Sequence, residues 1–186
     1  DPKTCRTVRH YNLPSKHCMT ILQTSDSDVY VGTTEGLFLY DSSKDDFEPV
    51  DVIGKKFVHC LHEDRDHRLW IGLYGSGLGT LGLDDGYLGL ESNYILSLYE
   101  DKDGGIWITT EGAGIGKVIR SDEDCSFNVR HFTKEDGFPS NSCVSISGAG
   151  NGRMWVATSS GLVEFDPVAG KVVKTYMQAD RVIGSR

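Results

Sequence analysis

Nowhere does this 186-residue sequence run apolar for the roughly 20 residues that a bilayer-spanning helix needs. Its opening stretch, DPKTCRTVRHYNLPSK, also lacks the apolar core of a secretory leader. The segment itself is therefore expected to make no membrane contact, whatever flanks it. Basic residues are scarce: 19 Lys and Arg against 27 Asp and Glu leave a net charge of −8, which repels a phosphate backbone and excludes nucleic acid as a partner. The five cysteines, Cys5, Cys18, Cys60, Cys125 and Cys143, are odd in number and contain no CxxC pair. Neither a disulfide framework nor a structural zinc site is expected, and most of these thiols read as buried small apolar side chains. Missing too is any sustained apolar stripe at helical spacing. What is present, at 38% hydrophobic and 10% aromatic residues, is a globular chain of short β-branched and aromatic runs cut by turn residues.

Those runs repeat. TILQTSDSDVYVGTTEGLFLYD (20–41), VHCLHEDRDHRLWIGLYGSGLGTL (58–81), ILSLYEDKDGGIWITTEGAGIGKV (95–118) and CVSISGAGNGRMWVATSSGLVEFD (143–166) share one register. Each carries an aromatic anchor before a β-branched residue: Tyr30, Trp70, Trp107 and Trp155. Six or seven residues later comes a glycine before an apolar residue, Gly36, Gly77, Gly114 or Gly161. Nine residues before the anchor stands Ile21, Leu61, Leu98 or Ile146, and twelve before it Cys18, Val58, Ile95 or Cys143. The anchors are 40, 37 and 48 residues apart, the length of a four-stranded propeller blade rather than of a helical repeat. The expected fold is all-β: about four blades, each a four-stranded antiparallel sheet, at approximately 9–50, 51–90, 91–132 and 133–180, some sixteen strands in one segment. The anchor ring is expected to be buried between neighbouring blades, where apolar area alone contributes about 1.5–3 kcal/mol. The glycine marks a turn or a close backbone approach.

Several motifs that suggest chemistry dissolve on counting. Read as a calcium loop from Asp101, the stretch DKDGGIW puts Gly105, Ile106 and Gly112 where an oxygen ligand, a glycine and a bidentate Glu belong. GAGIGK lacks phosphate-loop spacing, and its lysine is followed by Val118. Asp101 to Gly105 is better read as a hairpin turn whose aspartates cap backbone N–H groups. His59, His62 and His67 resemble a metal cluster by composition, but on a strand residues 59 and 62 face opposite sides, so no metal site is expected. The acidic run 41–48 reads as a solvated loop. Arg120, Arg130, His131 and Lys134 read as surface around an expanded loop, with contact to an anionic ligand as the alternative. GxSxG is absent and the carboxylates fall in turns, so no catalytic residue and no cofactor is expected. DKDGGIW is like the sialidase Asp-box only in its turn, having no serine and one residue too few before Trp107.

The unit V-x-S-I-x-E-D-x-D-G-x-[LI]-W-I-G-T-x-x-G-L resembles the two-component regulator propeller repeat. ILSLYEDKDGGIWITTEGAGI carries it closely, CVSISGAGNGRMWVATSSGLVEFDP carries its second half, and HFTKEDGFPSNSCVSI is similar to the linker of that family. The departures are Tyr30 for Trp in the first repeat, His67 for the turn glycine in the second and SGAGNG for the acidic turn in the fourth. The resemblance implies seven-bladed propellers in the periplasmic, extracytoplasmic sensor region of hybrid histidine kinases of Bacteroidetes, which respond to oligosaccharides. It implies a segment of such a propeller that is not itself an enzyme. The alternatives are a propeller enzyme acting on polysaccharide and a protein-interaction scaffold. Ligands of propellers sit at the axial face built from inter-strand loops, which nominates Thr34, Glu35, Tyr74, Glu111 and Ser160 for an oligosaccharide. Four units leave two blade edges open, so self-association through those edges, or receptor dimerisation, is expected.

Overall fold

A computed structural model describes residue 3 and residues 6–81, 94–120 and 127–177. Four antiparallel meanders follow one another along the chain. The first contains β1 (Cys18–Gln23), β2 (Val29–Thr33), β3 (Gly36–Asp41) and β4 (Asp46–Pro49). The second contains β5 (Val58–Glu63), β6 (Leu69–Leu73) and β7 (Gly77–Leu81). β8 (Ile95–Glu100), β9 (Ile106–Thr110), β10 (Ile115–Arg120) and β11 (Phe127–Phe132) form the third. The fourth holds β12 (Cys143–Gly148), β13 (Met154–Thr158), β14 (Gly161–Asp166) and β15 (Lys171–Tyr176). An outer strand for the second meander and the expected division at 90/91 lie outside the described residues, as do Cys5, Cys125 and the expected end at 180. The chain is all-β, its meanders are propeller blades, and the first strands β1, β5, β8 and β12 pack on one another in chain order.

The repeat is reproduced in fine detail. Every first strand carries a register shift at the same place, between Cys18 and Thr20, Val58 and Cys60, Ile95 and Ser97, and Cys143 and Ser145. Such a bulge bends the innermost strand and raises its twist. Three residues before each anchor the backbone enters the left-handed region, at Ser27 (φ 73), His67 (φ 61), Gly104 (φ 86) and Gly152 (φ 82). The first two blades thus hold at non-glycine residues a conformation that costs roughly 1–2 kcal/mol, which the rest of the hairpin over-determines.

Three apolar clusters fill the three inter-blade seams. Leu37 meets Val58, Ile71 and Leu73 in the first, with Tyr30 and Leu61 against it. Trp70 and Leu78 meet Ile95 and Ile108 in the second. Trp107, Ile115 and Phe132 meet Cys143, Ile146, Val156 and Phe165 in the third. Each of the first three anchors therefore points forward to the next blade, and in the second to fourth blades the residues nine and twelve before the anchor point back. That polarity explains what lies bare at the ends. Ile21, whose counterparts are buried or half-buried, is 69% exposed, and Cys18 is exposed where Val58, Ile95 and Cys143 are sealed. The expectation of a buried thiol fails at Cys18 because no described blade precedes it. Cys60 and Cys143 are covered, and burial pushes both thiols up to about 12. At the other end Trp155 is half-buried against Tyr176, and Val144 and Leu162 are exposed.

The acidic run 41–48 is more than a solvated loop. It turns into β4, and Asp45 accepts hydrogen bonds from Tyr11 (2.9 Å) and Tyr40 (2.6 Å) and pairs with Arg9. That holds the segment before β1 against the outer edge of the first blade, where Tyr11 packs edge-on to Phe47.

In the second and third blades the turn between first and second strands is tied to its anchor. Asp101 accepts the N–H groups of Asp103 (2.9 Å) and Gly105 (2.8 Å) and the indole N–H of Trp107 (2.8 Å). Asp64 does the same for Asp66, Arg68 and Trp70. For Asp101, burial raises the pKa, but the Trp107 indole, the two N–H groups and Lys117 outweigh it, so the carboxyl titrates below its ordinary 3.8. A depressed folded value means stabilisation that is full above the unfolded value and disappears as pH falls through the folded one. Asp101→Asn is expected to lose about 2 kcal/mol at neutral pH, because the amide has a single acceptor oxygen: with that oxygen on the Asp103 and Gly105 N–H groups, its NH2 faces the indole N–H. Its stability, read by urea denaturation, should also fall less steeply than wild type below about pH 4.

Candidate functional site

Because every blade is an antiparallel meander, the loops after β2, β6, β9 and β13 emerge at one end, together with the segments leading into each first strand. A backbone hydrogen bond ties the two in every blade: Thr34 to His17 (3.2 Å), Tyr74 to Phe57 (2.9 Å), Glu111 to Tyr94 (3.1 Å) and Ser159 to Ser142 (3.0 Å). Bridges between blades, Tyr74 with Tyr94 and Glu111 with Ser142, continue this layer around the axial face.

Tyr74 and Glu111 are brought together, the phenol donating to Glu111 Oε2 at 2.9 Å across the seam between the second and third blades. That bond is the main reason why the Tyr74 pKa is raised. Around Tyr74 stand Tyr94, ring centroids 4.6 Å apart and planes inclined at 63°, Phe57 at 5.1 Å and His59 at 6.0 Å. Burial lowers the pKa of His59, keeping its ring neutral at pH 7. Tyr74, Tyr94 and Glu111 are exposed, so the group offers aromatic edges and a carboxylate to solvent at one place.

The other nominated residues are not part of that group. Thr34 shares a hydrogen bond with Ser15 (2.8 Å) at the first blade, and exposed Glu35 lines a cavity of about 490 Å³ with Pro14, Phe38 and Phe47. Ser160 is exposed in the fourth blade, its N–H held by Thr158. Phe57, His59 and Tyr94 were not legible as site residues, although Phe57 and Tyr94 both stand thirteen residues before an anchor and could have been found there.

The three histidines serve separate neighbours. His59 lies in the aromatic group, His62 is 3.6 Å from Glu100, and His67 meets Ser25 at 2.8 Å and Glu63 at 3.3 Å. Of the basic cluster, Arg130 lies over the Phe132 ring, His131 approaches the Ala113 carbonyl, and Lys134 starts a short 3-10 turn capped by Thr133. Among the described residues no helix is long and apolar enough to cross a membrane.

Residues 53–75 and 89–112 match the family model described as two component regulator propeller. No curated protein matches the chain. Among solved structures, it is similar to the extracellular domain of a protein described as a hybrid two component system from B. thetaiotaomicron, with TM-score 0.69, 26% identity, 91% of this chain and 24% of that one covered. A second such extracellular domain from the same organism matches with TM-score 0.67 and 16% identity, over 92% of this chain and 26% of the other. Virginiamycin B lyase from Staphylococcus aureus, crystallised with quinupristin, gives TM-score 0.67 and 13% identity over 93% of this chain and 60% of that one, a likeness of fold alone. The chain thus spans about a quarter of the length of the two extracellular domains.

Proposed function

We propose that this chain, a run of two-component regulator propeller repeats, is a segment of the extracytoplasmic, periplasmic ligand-sensing region of a hybrid histidine kinase receptor, and that it contributes to recognition of an oligosaccharide. The supporting observation is the exposed group of Tyr74, Tyr94 and Glu111 on the axial face. Aromatic rings stack on the apolar face of a sugar while a carboxylate accepts its hydroxyl hydrogens. The group spans a blade seam, so a ligand there contacts two blades at once.

The test is calorimetric titration of an oligosaccharide panel against the chain and its Tyr74→Ala variant. Binding that weakens about tenfold in the variant, with an unchanged circular dichroism spectrum, supports the reading. Binding insensitive to both Tyr74→Ala and Glu111→Gln rejects it. Turnover of a polysaccharide abolished by Glu111→Gln would instead identify an enzyme.

The bare faces at Ile21 and at Val144 and Leu162 fit further blades of the same repeat in the parent propeller. In the isolated chain these faces pair with one another. Light scattering is expected to show association that rises with concentration; a strict monomer at high concentration contradicts this.

A further inference from the structure

The face opposite the axial loops is built from the turns between first and second strands, and there the blades are stapled by carboxylates. Ser25, in the first blade's turn, donates through its N–H and hydroxyl to Glu63 at the end of β5, both at 2.7 Å. Arg65, at the same place in the second turn, donates to Glu100 at the end of β8 at 2.6 Å and caps the carbonyls of Asp101 and Lys102. Both carboxylates are largely covered.

The third seam breaks the rule. Lys102 occupies the place of Ser25 and Arg65, but the residue corresponding to Glu63 and Glu100 is Gly148. The fourth turn, from Gly148 through Gly150 to Gly152, is nearly devoid of side chains. Where the other seams are filled, a cavity of about 420 Å³ opens here, lined by Tyr99, Lys102, Lys117, Arg153, Met154 and Val168 together with Asp101, Asp103 and the three glycines. Most of its charges are matched. Asp101 is held by the Trp107 indole and two N–H groups with Lys117 at 3.7 Å, and Arg153 is paired with Glu164 at 2.7 Å. Lys102 and Asp103 are both exposed, and neither has an oppositely charged side chain within ion-pair distance among the described residues.

We infer that this cavity is a second ligand site, for a small carboxylate-bearing molecule of uronic-acid size whose carboxylate binds beside the Tyr99 hydroxyl, which stands where the side chain of a glutamate at position 148 would begin. Lys102 supplies the charge, the Tyr99 phenol a hydrogen bond, and exposed Val168 an apolar contact for the face of the ring. The volume lies in the range of sites that enclose small ligands. The lining sets Lys102, Lys117 and Arg153 against the carboxylates of Asp101 and Asp103, and Lys102 favours the acid over its neutral counterpart because only the acid forms a charge-assisted hydrogen bond with the ammonium. The site is separate from the axial face and does not depend on it.

The probe is galacturonate, compared with galactose, by amide chemical shifts of the 186-residue chain. Galacturonate is expected to move the amides of Gly148, Gly150 and Gly152 while leaving Tyr74 and Tyr94 in place, and galactose to do so at least tenfold more weakly. Lys102→Gln should weaken galacturonate about tenfold. The double variant Tyr99→His, Gly148→Glu copies the His62–Glu100 arrangement of the preceding seam, closes the staple internally and should abolish binding with the fold intact. Equal response to galactose, no shift at the glycine amides at tens of millimolar, or unaltered binding in either variant would each overturn the assignment. Shifts confined to Tyr74 and Tyr94 would overturn it while leaving the axial reading standing.

Discussion

Trp107→Ala is expected to lose about 4 kcal/mol of stability, and Trp155→Ala about 1 kcal/mol, although the two residues occupy the same place in the repeat. Trp107 is 0% exposed in the seam between the third and fourth blades. Its ring stacks on Phe132 at 5.8 Å and meets Phe165 edge-on at 5.8 Å, and its N–H is held by Asp101. Truncation removes the apolar burial, leaves a cavity that strands on both sides cannot collapse, and strips Asp101 of a donor. Trp155 is half-buried, and the ring that leans on it is Tyr176 of its own blade. Its removal empties no seam. Urea denaturation with an unchanged m-value separates a loss of packing from a change in the unfolded chain. Equal losses for the two variants would refute the forward polarity of the anchors.

That polarity marks the boundary of what the sequence reveals. Spacing alone supplies the blades, because a ring every forty residues flanked by strand-length runs admits few other arrangements. Alternation also tells which of Leu61, Leu98 and Ile146 share a face. It does not tell that this face looks backward and the anchor forward, since handedness and stacking direction come from sheet twist, to which a period-two pattern is blind. The same limit holds for the site. Tyr74 and Glu111 were legible from their loops, but their meeting at 2.9 Å depends on the angle between two blades. Phe57 and His59 join them from the lead-in and first strand of the second blade. The departures from the repeat behave likewise. Position 67 demands a left-handed backbone even with histidine there, so the turn survives. SGAGNG has Ala149 for the turn aspartate and Gly148 for the stapling glutamate; it keeps the hairpin through left-handed Gly150 and Gly152 and through Asn151, which accepts the Arg153 N–H, but leaves the seam beside it open.

Gly114→Ala is the second substitution with a large expected effect, about 3 kcal/mol. Two costs combine at this position. The backbone has φ +74, a left-handed conformation that costs an alanine about 1–2 kcal/mol. A Cβ there would also run into the Phe132 carbonyl oxygen and lie 3.3 Å from the Thr133 Cα. Both obstacles are main chain, fixed by the β10–β11 ladder, in which Ile115 pairs with Phe132, and by the Thr133 cap. The strand pair must therefore separate rather than a side chain rotate. Gly114 also accepts the Thr110 hydroxyl and donates to the Asn141 carbonyl at the next blade, so displacement reaches the third seam. Gly150→Ala is the matched control: its φ is +72, but nothing lies within 4 Å of the added methyl. It pays the backbone cost alone, about 1 kcal/mol. The difference between the two variants in urea denaturation isolates the close approach, and it explains why a glycine recurs after each anchor beside the strand that receives it. Similar losses at both positions would mean that backbone conformation alone requires the glycine.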